Sequence, residues 1–344
     1  MLVSSHIGTT GRRPSKTEGA VCWPRGRSRS CQEGGNATRL KADYVSRRRL
    51  ASQLRRSGLP SRTRTEGEVI SQLAKSGLFR LRAVLVGSHA FQTYGGLLGL
   101  RFDEANYLTQ DDDIAQYHSI SVLIDDAMED IGSILTKVDA TFKPIFNPHS
   151  PFLVAGYRNS DGTRVEFLTP NRGDAANSQS LTKMPALGGI GAQALPYLDF
   201  LIREPVRSVV LHEAGVGVVV PAPERYAVHK LIVSTRLRVE TGTMSKITKD
   251  LAQASALIAR LSETKQEFEL GSAWIEAWER GPRWRRRLAV ASLRLEEEEF
   301  SLLEQAVVTA ERLSGIEDRR HGMGTGKKGI LELRDHWSGG RSPS

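Results

Sequence analysis

Apolar residues change their period at Pro221. Before it short runs and alternation are interleaved with helical spacing, and after it apolar residues recur every three or four positions. Runs and alternation predict strands, the wider spacing helices. Leu81–Val86 reads as a buried strand. It is followed by a helix with Ser88 as N-cap and Ala90, Phe91, Tyr94, Leu97 and Leu98 on one face. Val165 and Phe167 alternate with Arg164 and Glu166 between the Asp161-Gly162 turn and Pro170, which predicts a second strand. Between these, Ile120–Val138 carries Val122, Leu123, Ile131, Ile134 and Leu135 at helical spacing.

The runs 197–202, 206–211 and 217–220 read as further strands of the same sheet. Pro223 opens a helix bearing Tyr226, Val228, Leu231, Ile232 and Leu237, and 246–261, 271–280 and 295–313 continue the helical pattern. Upstream, 38–57 is weakly helical and 68–78 more clearly so. The expected fold is α/β (α+β): a mixed sheet flanked by helices over 38–221, then an all-helical domain over 222–314. Residues 1–37 lack either period and predict a disordered basic tail, and 315–344 a flexible one. The Gly- and Ala-rich stretch 171–196 reads as a mobile loop.

Charge changes the picture once it is divided. The chain of 344 residues carries a net charge of +9, from 48 Lys and Arg against 39 Asp and Glu. Residues 1–66 hold 15 of those cations and 4 of the acids, a net of +11, which leaves 33 against 35 for the rest. The body is therefore not basic, and the basic arm suits either a solvated tail or a phosphate backbone. Hydrophobic residues at 39% are enough for a full core, while no apolar run is long enough to cross a bilayer. The first residues lack the apolar centre of a secretory signal, and Cys22 and Cys31 lie in the irregular start, so a reducing cytoplasm is expected. His89, His149, His212 and His229 are too scattered for a zinc pattern. Trp274, Trp278 and Trp284 read as core residues, with Arg283 and Arg285–Arg287 as a solvated basic turn.

The candidate chemistry lies in Val84–Ala115 and in the strand of Glu166. Side chains alternate along a strand, so Asp111 and Asp113 project to one side, roughly 7 Å apart along the backbone. Carboxylate oxygens of this kind suit Mg²⁺. Two-metal sites use a third acid, and Glu166 is the candidate. Glycine at 87 lets backbone approach a ligand, and Gly87-Ser88 at a helix start offers free N–H groups to phosphate. Asp112, between the two acids, faces the other way. Either that face is solvated, or Asp112 has a polar partner, or a bulge brings it into the site. Taken singly, three consecutive acids also suit a solvated turn or a calcium-stabilised loop.

Leu-Val-Gly-Ser-His-Ala-Phe-Gln-Thr-Tyr, Thr-Gln-Asp-Asp-Asp-Ile-Ala, Phe-Leu-Thr-Pro-Asn-Arg and Pro-Ala-Pro-Glu-Arg-Tyr-Ala-Val-His-Lys-Leu resemble a bacterial nucleotidyltransferase-like subfamily. That subfamily belongs to the superfamily with the polymerase-beta fold, and the resemblance spans about Lys41 to Leu295. It implies transfer of a nucleoside monophosphate from a nucleoside triphosphate to a hydroxyl acceptor, with pyrophosphate leaving. It also implies two Mg²⁺ ions on Asp111, Asp113 and Glu166. The acceptor it leaves open: a tRNA end, a protein side chain or a small alcohol. Lys230 is expected to meet the triphosphate from the helical side, Arg172 is a second phosphate candidate, and Lys249-Asp250 resembles a Lys-Asp pair of related families. A catalytically inactive nucleotide- or RNA-binding module of the same fold is the alternative.

Overall fold

The computed structural model describes residues 29–99, 101, 111–171, 180–235, 243–316 and 321–339. By packing, the chain divides into Met1–Tyr44, whose described part is helical, and Val45–Ser344. Helix α1 runs Arg29–Arg56 and so begins inside the stretch expected to be disordered.

Helix α2 (Arg64–Lys75) starts earlier than its apolar spacing predicts, because Thr63 and Glu66 form a capping box. The Thr63 hydroxyl accepts from the Glu66 amide, and the Glu66 carboxylate accepts from the Thr63 amide. Strand β1 (Val84–Val86) leads into α3 (Gly87–Leu98). The expectation of Ser88 as N-cap is corrected: Val86 holds that position without a side-chain cap, and Ser88 lies in the first turn. Next come β2 (Asp111–Ala115), α4 (His118–Leu123) and α5 (Ile131–Val138). The single helix expected over 120–138 is thus two short ones, because Asp130 caps α5 by accepting from the Ser133 amide.

Strands β3 (Lys143–Asn147), β4 (Ser150–Arg158) and β5 (Arg164–Pro170) follow. The described part of the expected mobile loop is not a loop. It contains β6 (Leu181–Met184), a 3-10 turn at Pro185–Leu187 and β7 (Ile190–Leu195). Residues 172–179, including Arg172, lie outside the described residues, as do Cys22 and Leu237. The next apolar run is also corrected, since it forms helix α6 (Leu198–Leu201). Strands β8 (Val206–Val210) and β9 (Val216–Val220) do exist, but they pair only with each other in a separate sheet.

The main sheet has the order β1-β2-β5-β4-β3, with β7 also pairing to β5 and β6 to β7. β2 and β5 are parallel, whereas β1–β2, β4–β5 and β3–β4 are antiparallel. One face is core: Ile114, Tyr157, Val165 and Phe167 pack with Ile131, Ile134 and Leu135 of α5 and Val69 and Leu73 of α2.

Among the described residues after Pro221, α7 (Pro223–Ser234), α8 (Thr243–Glu263), α9 (Glu267–Glu279) and α11 (Glu297–Leu313) fall on the runs of helical period, while α10 (Pro282–Ser292) forms where a solvated basic turn was expected. These helices share one apolar cluster with β1, α3 and the β8–β9 hairpin, in which Phe91, Tyr94, Tyr226 and Trp274 are all buried. The stretch after Gly315, read as a flexible tail, carries α12 (Gly326–Gly339) and buries Met323 and Ile330. Trp274 and Trp278 stack in the core, their ring centroids 6.0 Å apart.

Candidate functional site

The parallel register of β2 and β5 sets Asp111 opposite Arg164, Asp112 opposite Val165 and Asp113 opposite Glu166. Directly opposed residues share a face, so Asp111, Asp113 and Glu166 stand together on the side away from the α2–α5 core. The register is unbroken here, so no bulge turns Asp112 towards them. Its partner lies on the opposite face. Asp112 is fully buried, and one carboxylate oxygen receives Arg62 Nη1 and His89 Nδ1, both at 2.5 Å. Burial alone would raise this carboxyl, but His89 and Arg62 outweigh it and hold the group below the usual carboxylate range.

Asp113 moves the other way. Burial, then the charges of Glu166 and Asp111, push its carboxyl up to about 7, against a smaller opposing pull from Lys230. Gly87 explains part of the burial. Its φ is +68°, and a Cβ there would sit 2.5 Å from the Asp113 carboxylate. Only glycine permits both the left-handed backbone and so close an approach. The Gly87 carbonyl accepts from the Tyr226 hydroxyl of α7 at 2.9 Å, and Tyr226 Oη also lies 3.0 Å from Gln253 Oε1 of α8. Gln253 Nε2 in turn reaches Ser88 Oγ at 3.5 Å. The turn that begins α3 is therefore held from behind by two helices of the C-terminal half.

Lys230 lies at the same cleft. Its ammonium donates to Asp250 at 2.5 Å and sits 5.3 Å from the centre of the Tyr226 ring. Lys249 feels both Lys230 and Asp111, and its pKa is lowered by burial and by the Lys230 charge. Gly87, Asp113 and Lys230 line a cleft of about 440 Å³ together with Leu168, Tyr197 and Arg287. The Arg287 guanidinium lies 5.3 Å from the centre of the Tyr197 ring and is anchored on Thr235. A larger cavity of about 540 Å³, among Leu54, Arg62, Leu97 and Val210, has a mostly apolar lining that includes none of the three acids.

The Arg164 guanidinium, two residues away on β5, donates to Glu166. Among the described residues no group of three or more His, Cys, Asp or Glu side chains is gathered tightly enough to hold a metal ion. The donor set still fits magnesium: hard carboxylate oxygens from adjacent strands on one sheet face, with the Gly87 turn at the same cleft as Asp113.

The spacing of the acids and glycine singled out Gly87, Ser88, Asp111, Asp113 and Glu166 as candidates in the sequence. The contacts of Arg62 and His89 with Asp112, and of Tyr226 and Gln253 with the Gly87-Ser88 turn, were not visible there. The one signal for the first two was the cost of an acid on a buried strand face. Tyr226 was read only as part of an apolar stripe.

No helix among the described residues is long and apolar enough to cross a membrane. No curated protein and no solved structure matches the chain. A family model described as nucleotidyltransferase matches residues 64–279, more than half of the chain and the whole span from the helix before β1 to α9, and the chain belongs to that nucleotidyltransferase family.

Proposed function

We propose that this protein is a Mg²⁺-dependent nucleotidyltransferase that moves a nucleoside monophosphate from a nucleoside triphosphate to a hydroxyl acceptor. The observation that carries the reading is the pairing of Asp113 with Glu166 across β2 and β5, with Gly87 packed against Asp113. Family membership supports the reaction class.

Asp111, Asp113 and Glu166 would hold the metal, which when bound supplies charge stabilisation at the attacking and departing oxygens. The chain's own groups do the rest. The amides at the start of α3 and the Lys230 ammonium bind the triphosphate, with Lys249 adding positive charge beside Asp111. Leu168, Tyr197 and Arg287 enclose the nucleoside end of the cleft. The acceptor oxygen forms a bond to the α-phosphorus while the bond to the bridging oxygen breaks, and pyrophosphate leaves in line. Glu166, half-buried beside Arg164, takes the hydroxyl proton.

The test is incubation of purified protein with each α-labelled nucleoside triphosphate, Mg²⁺ and cellular RNA or metabolite extract. Label should move to an acceptor with wild type and not with Asp113→Asn; absence of transfer from every nucleotide overturns the reading. The Arg164–Glu166 pair favours a second reading, a module that binds nucleotide without turnover. Binding by calorimetry without release of pyrophosphate would favour that module.

A further inference from the structure

The row of residues that contains Asp111 continues across the sheet as cations. Asp111 is opposite Arg164, Arg164 is opposite Arg158, and Arg158 is opposite Lys143. All four therefore share the face of Asp113 and Glu166. The neighbouring row on the core face, Asp112, Val165, Tyr157 and Pro144, gives the control: its first three members are buried. Arg158 and Lys143 are exposed, and no carboxylate pairs with either among the described residues.

Like charges directly across a ladder repel, so three adjacent cations are a cost that the fold itself does not require. A lysine on the edge strand β3 has an ordinary use in deterring strand addition. That use does not extend to Arg158, which lies on the interior strand β4, nor to Arg164 on β5. Strand spacing makes the row roughly 10 Å long.

Its direction from the acids is informative. Gly87 and Lys230 line a cleft that continues to Leu168 near the end of β5 and Leu195 at the end of β7, whereas the cation row crosses β5 at its first residue, Arg164. In-line displacement requires the acceptor oxygen to approach opposite the departing pyrophosphate. The start of β5, at the other end of that strand from Leu168 of the cleft, is where the cations run.

We infer that Lys143, Arg158 and Arg164 form a track for the phosphodiester backbone of a single-stranded polynucleotide whose terminal hydroxyl is the acceptor. The inference rests on the nucleotidyltransferase reading above and narrows its acceptor class. Repeated phosphates neutralise a row of exposed cations, with affinity gained from counterion release. On engagement, phosphate would also draw Arg164 away from Glu166 and free that carboxylate.

The test uses the full chain, so that the basic N-terminal stretch is common to every sample. Fluorescently labelled single-stranded RNA and DNA are titrated by anisotropy at several salt concentrations against wild type and a Lys143→Gln/Arg158→Gln double variant. Both substituted side chains are exposed, and matching melting midpoints and circular dichroism would establish that folding is unaltered. The expected result is oligonucleotide binding about tenfold weaker in the variant, with a salt slope flatter by about 1.4, or about 0.7 for each phosphate that is no longer neutralised. The RNA and DNA arms show which sugar the track prefers. Equal affinity and slope in both proteins, no binding by wild type, or equally tight binding of poly-glutamate would each overturn the inference. Calorimetry with Mg²⁺ and nucleotide, run in parallel, tests the underlying reading separately: if wild type binds nucleotide but no oligonucleotide, only the acceptor assignment fails.

Discussion

Asp112 and Asp113 are consecutive residues on one strand, and their surroundings drive them in opposite directions. Asp112 is held ionised below the usual range between His89 and Arg62, while Asp113 is pushed up to about 7 by burial, Glu166 and Asp111. The strand's alternation makes one a structural charge facing the core and leaves the other facing its fellow acids.

Their substitutions should therefore have opposite effects on stability. Asp112→Ala strands Arg62, whose side chain is 1% exposed, as an uncompensated buried charge. Breaking such a pair from one side costs about 3–5 kcal/mol. Asp113→Asn removes a repelled carboxylate and should leave metal-free stability unchanged or higher. Urea unfolding of both variants checks this, and equal losses would contradict it.

The same asymmetry gives a pH dependence. The ordinary value for an aspartate is 3.8, and in the folded protein Asp113 titrates near 7. Between those values the folded state keeps a proton that the unfolded chain has lost. The contribution is thus complete below 3.8 and is lost as pH rises through about 7. Metal-free wild type should lose stability across that window, and Asp113→Asn should lose less. Thermal midpoints in metal-free buffers between pH 4 and 8 measure the difference.

Tyr226→Phe removes the hydroxyl that the Gly87 carbonyl accepts from. The loss of one neutral hydrogen bond predicts about 1 kcal/mol of stability. Because the bond fixes the turn at the start of α3, Mg²⁺-nucleotide affinity should fall as well. Unchanged nucleotide binding by calorimetry would show that α3 is set without it.

Lys230→Ala should weaken nucleotide binding by about 10- to 100-fold, the range for a charge-assisted hydrogen bond of about 1.5–3 kcal/mol. Asp250→Asn, which only removes the anchor of Lys230, should change affinity less. Equal effects would mean that Lys230 serves the fold and not the ligand.

Mg²⁺ with nucleotide at 100 times its dissociation constant should stabilise wild type by about 2.7 kcal/mol. Asp113→Asn should show a smaller rise. A melting midpoint indifferent to the ligands would remove the support for a nucleotide site.

What the sequence determined by itself was local. Alternation put Asp111 and Asp113 on one side of their strand, and Val165 and Phe167 opposite Glu166 on theirs. Glycine at 87 marked the bend, and the period after Pro221 marked the helices. These follow from nearest neighbours in the chain, where backbone geometry dictates the pattern. Tertiary structure decided what required distant partners: that β2 and β5 run parallel in the register that joins Asp113 to Glu166, that Arg62 and His89 neutralise Asp112, and that Tyr226 holds the Gly87 turn. It also decided that 181–195 pairs as strands and that α12 docks through Ile330. Periodicity records which face of an element is apolar, but the partner of a buried charge or of an unpaired strand is chosen by packing across the whole fold.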